Sequence, residues 1–230
     1  MILLAVYFNR GGTYKPLLRA FAKSADRHVD GTVSILQIPM PPKADHKRDT
    51  ATAFIAAANM VLNMDENIAV CDCDLMFAGD ISDAFEYDFD IGITVRESFK
   101  HPYNTGLWFY RPTDNARLFV NEWIGRTQVL VEHFDQNLDF ITQHGGIDQA
   151  SLALTLDSHI PCKVNRFPCH VWNAEQSTWK YMNYLTKVVH IKSGLRKACL
   201  TGKHDDKLRE QWPDDAARDA VVQTFKEYQR

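Results

Sequence analysis

Asp72 and Asp74 sit in the stretch Ile68-Ala-Val-Cys-Asp-Cys-Asp-Leu-Met-Phe77, two carboxylates one residue apart at the end of an apolar run. On an extended backbone the i, i+2 spacing sends both acids to the same side. Burying two bare carboxylates together is costly, so something must sit between them: a divalent metal, a basic side chain, or water at a sheet edge. With neighbouring phosphate oxygens such a pair makes an all-oxygen site suited to Mn²⁺ or Mg²⁺. On the other face, Cys71 and Cys73 are expected to pack as small core residues. Three later stretches also carry chemistry-bearing side chains. They are Pro102-Tyr-Asn-Thr-Gly-Leu-Trp-Phe-Tyr-Arg111, Gly145-Gly-Ile-Asp-Gln149 and Val188-Val-His-Ile-Lys-Ser-Gly-Leu-Arg-Lys197.

The elements that must position these groups are legible as strands and helices. Ile2–Phe8 reads as a first strand, ending in the turn 9–12, and Pro16 opens a helix running to about Ala25. Thr32–Ile38 is a second, β-branched strand stopped by Pro39, Pro41 and Pro42. Asp49–Leu62 is alanine-rich and helical, Ile68–Cys71 is a third strand with the acids just past it, and Asp80–Phe85 begins a short helix. Phe89–Arg96 and Gly106–Tyr110 are further strands, with His101-Pro-Tyr-Asn-Thr-Gly106 expected as part of the turn between them. Asn115–Phe134 and Ile147–Leu156 read as helices and Lys187–Ile191 as a late strand. Asp214–Tyr228 is an amphipathic helix with Ala217, Val221, Val222 and Phe225 on one face. Strand and helix alternate through the first half, which predicts an α/β fold with a mixed, mostly parallel sheet flanked by helices. Ligands of such sheets bind beyond the carboxyl ends of the strands, where Asp72 and Asp74 fall.

Length and composition bound the rest. The 230 residues suit one domain, with 45% hydrophobic and 24% charged residues, as in ordinary globular proteins. A net charge of −3 gives no global reason to expect a nucleic-acid partner. No run is apolar and long enough to span a bilayer, and Met1–Arg10 lacks the basic start of a signal peptide. Five cysteines without paired CxxC spacing read as free thiols in a reducing cytoplasm, which argues against zinc.

Taken in order, D-x-D (Asp72, Asp74), N-T-G (Asn104, Thr105, Gly106), D-Q (Asp148, Gln149) and H-x-x-x-G-x-x-K (His190, Gly194, Lys197) resemble the GT-A nucleotide-sugar glycosyltransferases. The likeness is greatest to the retaining group that includes glycogenin and the bacterial lipooligosaccharide galactosyltransferases, and it runs from the first strand to about Lys197. The resemblance implies a GT-A (Rossmann-like) fold and a metal, manganese before magnesium, held by Asp72, Asp74 and His190. It implies a UDP-sugar as donor, with the base near Val6, Phe8, Asn9 and Tyr14, and Asp72 also touching the ribose. Arg48, Gly194 and Lys197 would meet the diphosphate, while Asn104, Thr105 and Asp148 would meet the sugar and Gln149 the anomeric carbon. The family spacing is usually H-x-x-G-x-x-K, so the extra residue here leaves Lys192, Ser193 and Arg196 as rival phosphate ligands. The implied reaction moves a hexose or pentose to an acceptor hydroxyl with retention.

Other chemistries use similar acids. A dehalogenase-type phosphohydrolase would take Asp72 as nucleophile and Asp74 as general acid, with Lys203, Asp205 and Asp206 as a poor copy of its later motif. A sugar nucleotidyltransferase would use a glycine-rich opening like Gly11-Gly-Thr-Tyr-Lys-Pro16, and a silent relative would bind sugar nucleotides without turnover. The expected organisation is a catalytic domain over 1–200 with a C-terminal helical extension, 201–230, packed on it. The acceptor is open: a glycan, a lipopolysaccharide core or, less in keeping with the charge, modified nucleic acid. Trp172, Trp179, Tyr181 and Tyr184 are candidates for stacking on an acceptor sugar, although core packing explains a tryptophan more often.

Overall fold

Three β-branched or apolar runs separated by helices open the chain: β1 (Ile2–Phe8), α1 (Tyr14–His28), β2 (Thr32–Ile38), α2 (His46–Leu62) and β3 (Ile68–Asp72). The structure is a computed structural model and describes residues 1–8, 14–38, 46–97, 101–204 and 206–229. There follow β4 (Leu75–Phe77), a 3₁₀ turn (Ser82–Glu86), β5 (Ile91–Val95), β6 (Tyr103–Tyr110), α3 (Asp114–Glu132), α4 (Leu138–His144) and α5 (Ile147–Leu156). The chain ends with β7 (Val164–Pro168), α6 (Cys169–Trp172), β8 (Val188–His190), α7 (Ser193–Thr201), α8 (Asp206–Gln211) and α9 (Asp215–Gln229).

The main sheet has six strands in the order β2-β1-β3-β6-β5-β7, and β6 alone runs against its neighbours. It is the mixed, mostly parallel sheet that the alternation predicts. Period-two alternation divides its side chains between two cores. Leu4, Val6, Ile68, Val70, Ile93 and Trp108 meet α2 and α3 on one face. Leu3, Ala5, Ala69, Cys71, Leu107 and Phe109 meet α1 and Trp172 on the other. Cys71 packs in this second core as expected, whereas Cys73, also buried, lies in the turn after β3 and lines the same cavity as the acids instead of the opposite face.

A second, two-stranded sheet pairs β4 with β8 in antiparallel register, Leu75 opposite His190. The backbone N–H of Ile191 donates to the Asp74 carbonyl at 2.8 Å. Ala174 runs beside this pair through a bridge to Val189. The main chain thus clamps residues distant in sequence against the turn that carries Asp74.

Two expectations are corrected. Asn104-Thr-Gly106 is not a turn before β6 but lies inside it, because the β5–β6 register jumps from Ile93 opposite Trp108 to Thr94 opposite Asn104. The intervening Thr105, Gly106 and Leu107 form a bulge relative to β5, a device that re-aims side chains beside sites. The tryptophans are not a stacking platform: Trp172 packs on Phe109 and Phe167, and Trp179 stacks on Trp212 at 5.9 Å, all of them buried. Tyr181 and Tyr184 are exposed.

Residues of α7, α8 and α9, including Leu195, Ala198, Leu208, Val222 and Phe225, form a third core with Leu17 and Ala20 of α1. Gln229 Nε2 donates to the Pro16 carbonyl at 2.6 Å, fixing the end of α9 against the start of α1.

Candidate active site

Asp72 is the last residue of β3, and the turn Cys73–Asp74 leads directly into β4. Pairing of β4 with β8 brings His190 back to that turn. His190 Nε2 stands 3.0 Å from Asp74 Oδ1 and 3.5 Å from Asp72 Oδ2. One ligand atom from each of Asp72, Asp74 and His190 lies within 4.8 Å of the others, a cluster able to hold a metal ion. His190 is fully buried and Asp74 nearly so, whereas 47% of the Asp72 side chain remains open to solvent.

Charge and burial set the protonation states. Burial, reinforced by the Lys192 ammonium, pushes the His190 imidazole down to about 4, against the upward pull of Asp74. Asp72 is pushed above the ordinary carboxylate range, first by desolvation and then by the Asp74 charge; solvent at its exposed half weakens the first cause and leaves the second. Burial would also raise Asp74, but His190 and the Arg196 guanidinium outweigh it and hold this carboxyl well below the usual range. Arg196 pairs with Asp74 through Nη2 and Oδ2, and His190 Nε2 hydrogen-bonds the other carboxylate oxygen at 3.0 Å. Two carboxylates and an imidazole converging from three directions are hard and borderline donors of the kind a divalent cation takes. The donor set therefore fits such an ion.

Glycine is required beside this cluster. A Cβ at Gly106 would stand 2.5 Å from His190 Cε1 and 2.8 Å from Asp72 Oδ2. The bulge in β6 brings this bare backbone against both ligands, and the Gly106 N–H is held by Asn104 Oδ1 at 3.1 Å. The Asn104 amide Nδ2 is buried and has no partner among the described residues, an orphan donor next to the cluster. Thr105 Oγ1 donates to Asp148 Oδ2. Asp148 stands in the first turn of α5, its carbonyl taking the Trp123 indole N–H at 3.0 Å. Gly145, at φ 86°, ends α4 in the left-handed conformation, and Gly146 leaves room for the Asp148 carboxylate.

A cavity of about 420 Å³ opens in front of the acids, lined by Val6, Tyr14, Asp72, Cys73, Asp74, Lys192, Ser193 and Arg196. The three rival residues of the extended His190 motif thus face it, while Gly194 and Lys197 are not among its lining residues. Ser193 has a φ of 45°, a left-handed backbone that few non-glycine residues adopt, where the chain turns from the cavity into α7. The Arg196 guanidinium also covers the Tyr14 ring, 5.3 Å from its centroid. Arg48 lies over the Phe134 ring and lines no described cavity. Phe8 ends β1, and Asn9 lies outside the described residues.

A second cavity, about 270 Å³, shares Lys192 and Ser193 with the first and adds Arg96, His101, Gly145, Gln149, Glu175, Gln176 and Ser177. Here Gln149 Oε1 accepts from Arg96 Nη1 at 3.0 Å, and Arg96 Nε pairs with Glu175 Oε1 at 3.2 Å in a buried ion pair. Sequence reasoning missed Arg96 and Glu175, and also Thr94 and Asn173, whose side chains lead to His190. These residues follow no local motif, and only the strand ends at which Thr94 and Arg96 fall gave any signal.

A crystal structure of a glycosyltransferase involved in the glycosylation of the major capsid of PBCV-1 matches 91% of this chain and 98% of its own, with a TM-score of 0.59 and 11% sequence identity. At that identity the likeness speaks for the fold, which is of the GT-A type. No curated protein sequence matches the chain. The model of the family described as nucleotide-diphospho-sugar transferase matches residues 44–198, well over half of the chain and a span that includes Asp72, Asp74, Asp148 and His190. The chain belongs to the nucleotide-diphospho-sugar transferase family.

Proposed function

We propose that the protein is a glycosyltransferase that moves a hexosyl or pentosyl group from a UDP-sugar to an acceptor hydroxyl, depends on Mn²⁺ and retains anomeric configuration. The observation that carries this reading is the meeting of Asp72, Asp74 and His190 at the wall of a cavity that also holds Lys192 and Arg196. Asp72, Asp74 and His190 would hold the metal; an imidazole among the ligands favours Mn²⁺ over Mg²⁺. Bound there, the cation supplies Lewis-acid charge that stabilises the leaving diphosphate.

The chain's own residues do the rest. Val6 and Tyr14 border the space for the nucleotide, and Phe8 and Asn9 are its further candidates. Lys192 and Arg196 offer positive charge to the diphosphate from the cavity wall, Ser193 offers a hydroxyl, and Gly194, Lys197 and Arg48 are its further candidates. Arg196, paired with Asp74 here, would be available to the diphosphate with a metal ion held by the acids. Asn104, through its unpaired amide, and Thr105 with Asp148 would hold the sugar hydroxyls. As the C1–O bond to the diphosphate breaks, its electron pair leaves with phosphate. The acceptor oxygen bonds to C1 from the same face, and its proton passes to a diphosphate oxygen. Gln149 Oε1 already accepts a hydrogen bond from Arg96, which draws electron density from its carbonyl and argues against a covalent role. Residues 1–200 would form the catalytic unit and 201–230 its packed cover.

The test is a panel of sugar nucleotides with Mn²⁺, read for nucleoside diphosphate release in wild type and Asp74→Asn. Release that disappears in the variant supports the reading. Inorganic phosphate from phosphomonoesters, pyrophosphate from nucleoside triphosphates, or thermal stabilisation by UDP-sugars without turnover would point instead to the hydrolase, nucleotidyltransferase or silent-binder chemistry.

A further inference from the structure

We infer that Asn173, anchored by Thr94, is a positioning residue that holds a proton on His190 Nδ1 and so makes Nε2 the ring nitrogen that meets a cation between Asp72 and Asp74. The inference rests on the proposed metal site and concerns how this chain builds it. Asn173 follows α6 and is fully buried, and its amide lies between two partners. Its Nδ2 donates to Thr94 Oγ1 at 3.1 Å, and its Oδ1 lies 3.0 Å from His190 Nδ1.

An amide's two ends are usually hard to tell apart, but here Thr94 tells them apart. The Thr94 hydroxyl faces two carbonyl oxygens, Asn104 at 2.6 Å and Leu107 at 3.0 Å. Carbonyls only accept, so the single hydroxyl proton is spent on them and the oxygen must accept from the amide. Asn173 therefore turns its NH₂ toward Thr94 and its carbonyl toward the imidazole, and a carbonyl needs a proton on Nδ1. With Nδ1–H committed to Asn173, Nε2 is the ring nitrogen left for a cation between the acids; in the metal-free protein it makes its 3.0 Å hydrogen bond to Asp74 Oδ1 instead.

The bulge in β6 makes this possible. It lifts Thr105, Gly106 and Leu107 out of the β5 ladder, turning the Asn104 and Leu107 carbonyls toward the Thr94 hydroxyl. The same distortion that brings Gly106 beneath His190 thus also sets the orientation of the residue behind it.

Long-range ¹H–¹⁵N NMR on the metal-free protein, with labelled histidine, reads the His190 proton directly. The expected result is a protonated Nδ1 in wild type, and its loss with a shift toward the Nε2–H form in Asn173→Leu. Mn²⁺ alone, titrated by calorimetry without nucleotide, should bind Asn173→Leu about 10- to 100-fold more weakly. Thr94→Val should weaken binding in the same direction. Thr94→Ser, which keeps the hydroxyl, and Asn173→Asp, which keeps the acceptor, should restore it, a pattern that loss of packing would not produce. An unprotonated Nδ1 in wild type overturns the inference, as does Thr94→Val with wild-type Mn²⁺ affinity. Should the wild type bind no Mn²⁺, the proposed function fails while the NMR result still decides the role of Asn173.

Discussion

Gly106→Ala places the smallest possible side chain in the most crowded part of the site. The added carbon would lie 2.5 Å from His190 Cε1, about 0.9 Å short of the 3.4 Å at which ordinary van der Waals contact begins, and 2.8 Å from Asp72 Oδ2. His190 has nowhere to retreat: it is fully buried, with Asn173 3.0 Å from one nitrogen and Asp74 3.0 Å from the other. Overpacking of this kind costs about 1–3 kcal/mol, which for a chain of this size lowers Tm by about 2–12 °C. A ligand displaced by about an ångström should also weaken Mn²⁺ binding by 10-fold or more, since supporting contacts alone are worth about 10- to 100-fold. Calorimetric Mn²⁺ titration and thermal melting in chelator measure the two effects separately. Gly125→Ala is the control, because no atom lies within 4 Å of a Cβ built at this position inside α3. Relief of glycine's entropy in a helix should raise stability there by about 0.5–1 kcal/mol without touching metal affinity. A Gly106→Ala protein that binds Mn²⁺ and melts like wild type would refute the crowding argument.

Removing the guanidinium in Arg196→Gln should strengthen Mn²⁺ binding to the nucleotide-free protein, because the metal no longer displaces a cation from Asp74, while weakening UDP binding with Mn²⁺ present; calorimetry reads both signs. Arg96→Met strands the buried Glu175 carboxylate and releases Gln149, so a stability loss of about 3–5 kcal/mol is expected by urea unfolding. Transfer should fall more than Mn²⁺ affinity in that variant. Trp212→Ala removes the buried partner of Trp179 in the core shared by α7, α8 and α9 with α1, and should cost about 3–5 kcal/mol. Protease digestion that cuts first within residues 201–229 would accompany that loss.

Much of this arrangement was legible because it is written locally. The first and third strands are continuous apolar runs, the second is β-branched and stopped by prolines, and a pair of acids at the end of the third stands out against its burial. His190 was readable from its place in a late apolar strand and its ordered position after the other motifs. β7 was not readable: Val164-Asn-Arg-Phe-Pro168 is an edge strand with one buried residue and a closing proline, so it lacks both alternation and a continuous apolar run. β4 and β8 have three residues each, too few to carry a period, yet their pairing joins Asp74 to His190. The two tryptophans take the commoner core role, because packing, not composition, decides whether an aromatic ring is exposed. Thr94, Asn173, Arg96 and Glu175 act through contacts across 79 residues of chain in two cases, a separation that no local spacing rule spans.

The most direct measurement is a crystal structure grown with Mn²⁺ and UDP, with data collected at a wavelength where manganese scatters anomalously. An anomalous peak within bonding distance of Asp72, Asp74 and His190, with the Arg196 guanidinium moved off Asp74, is the predicted result. A manganese peak elsewhere, or UDP bound with Arg196 still paired to Asp74 and no ion between the acids and the imidazole, would contradict it.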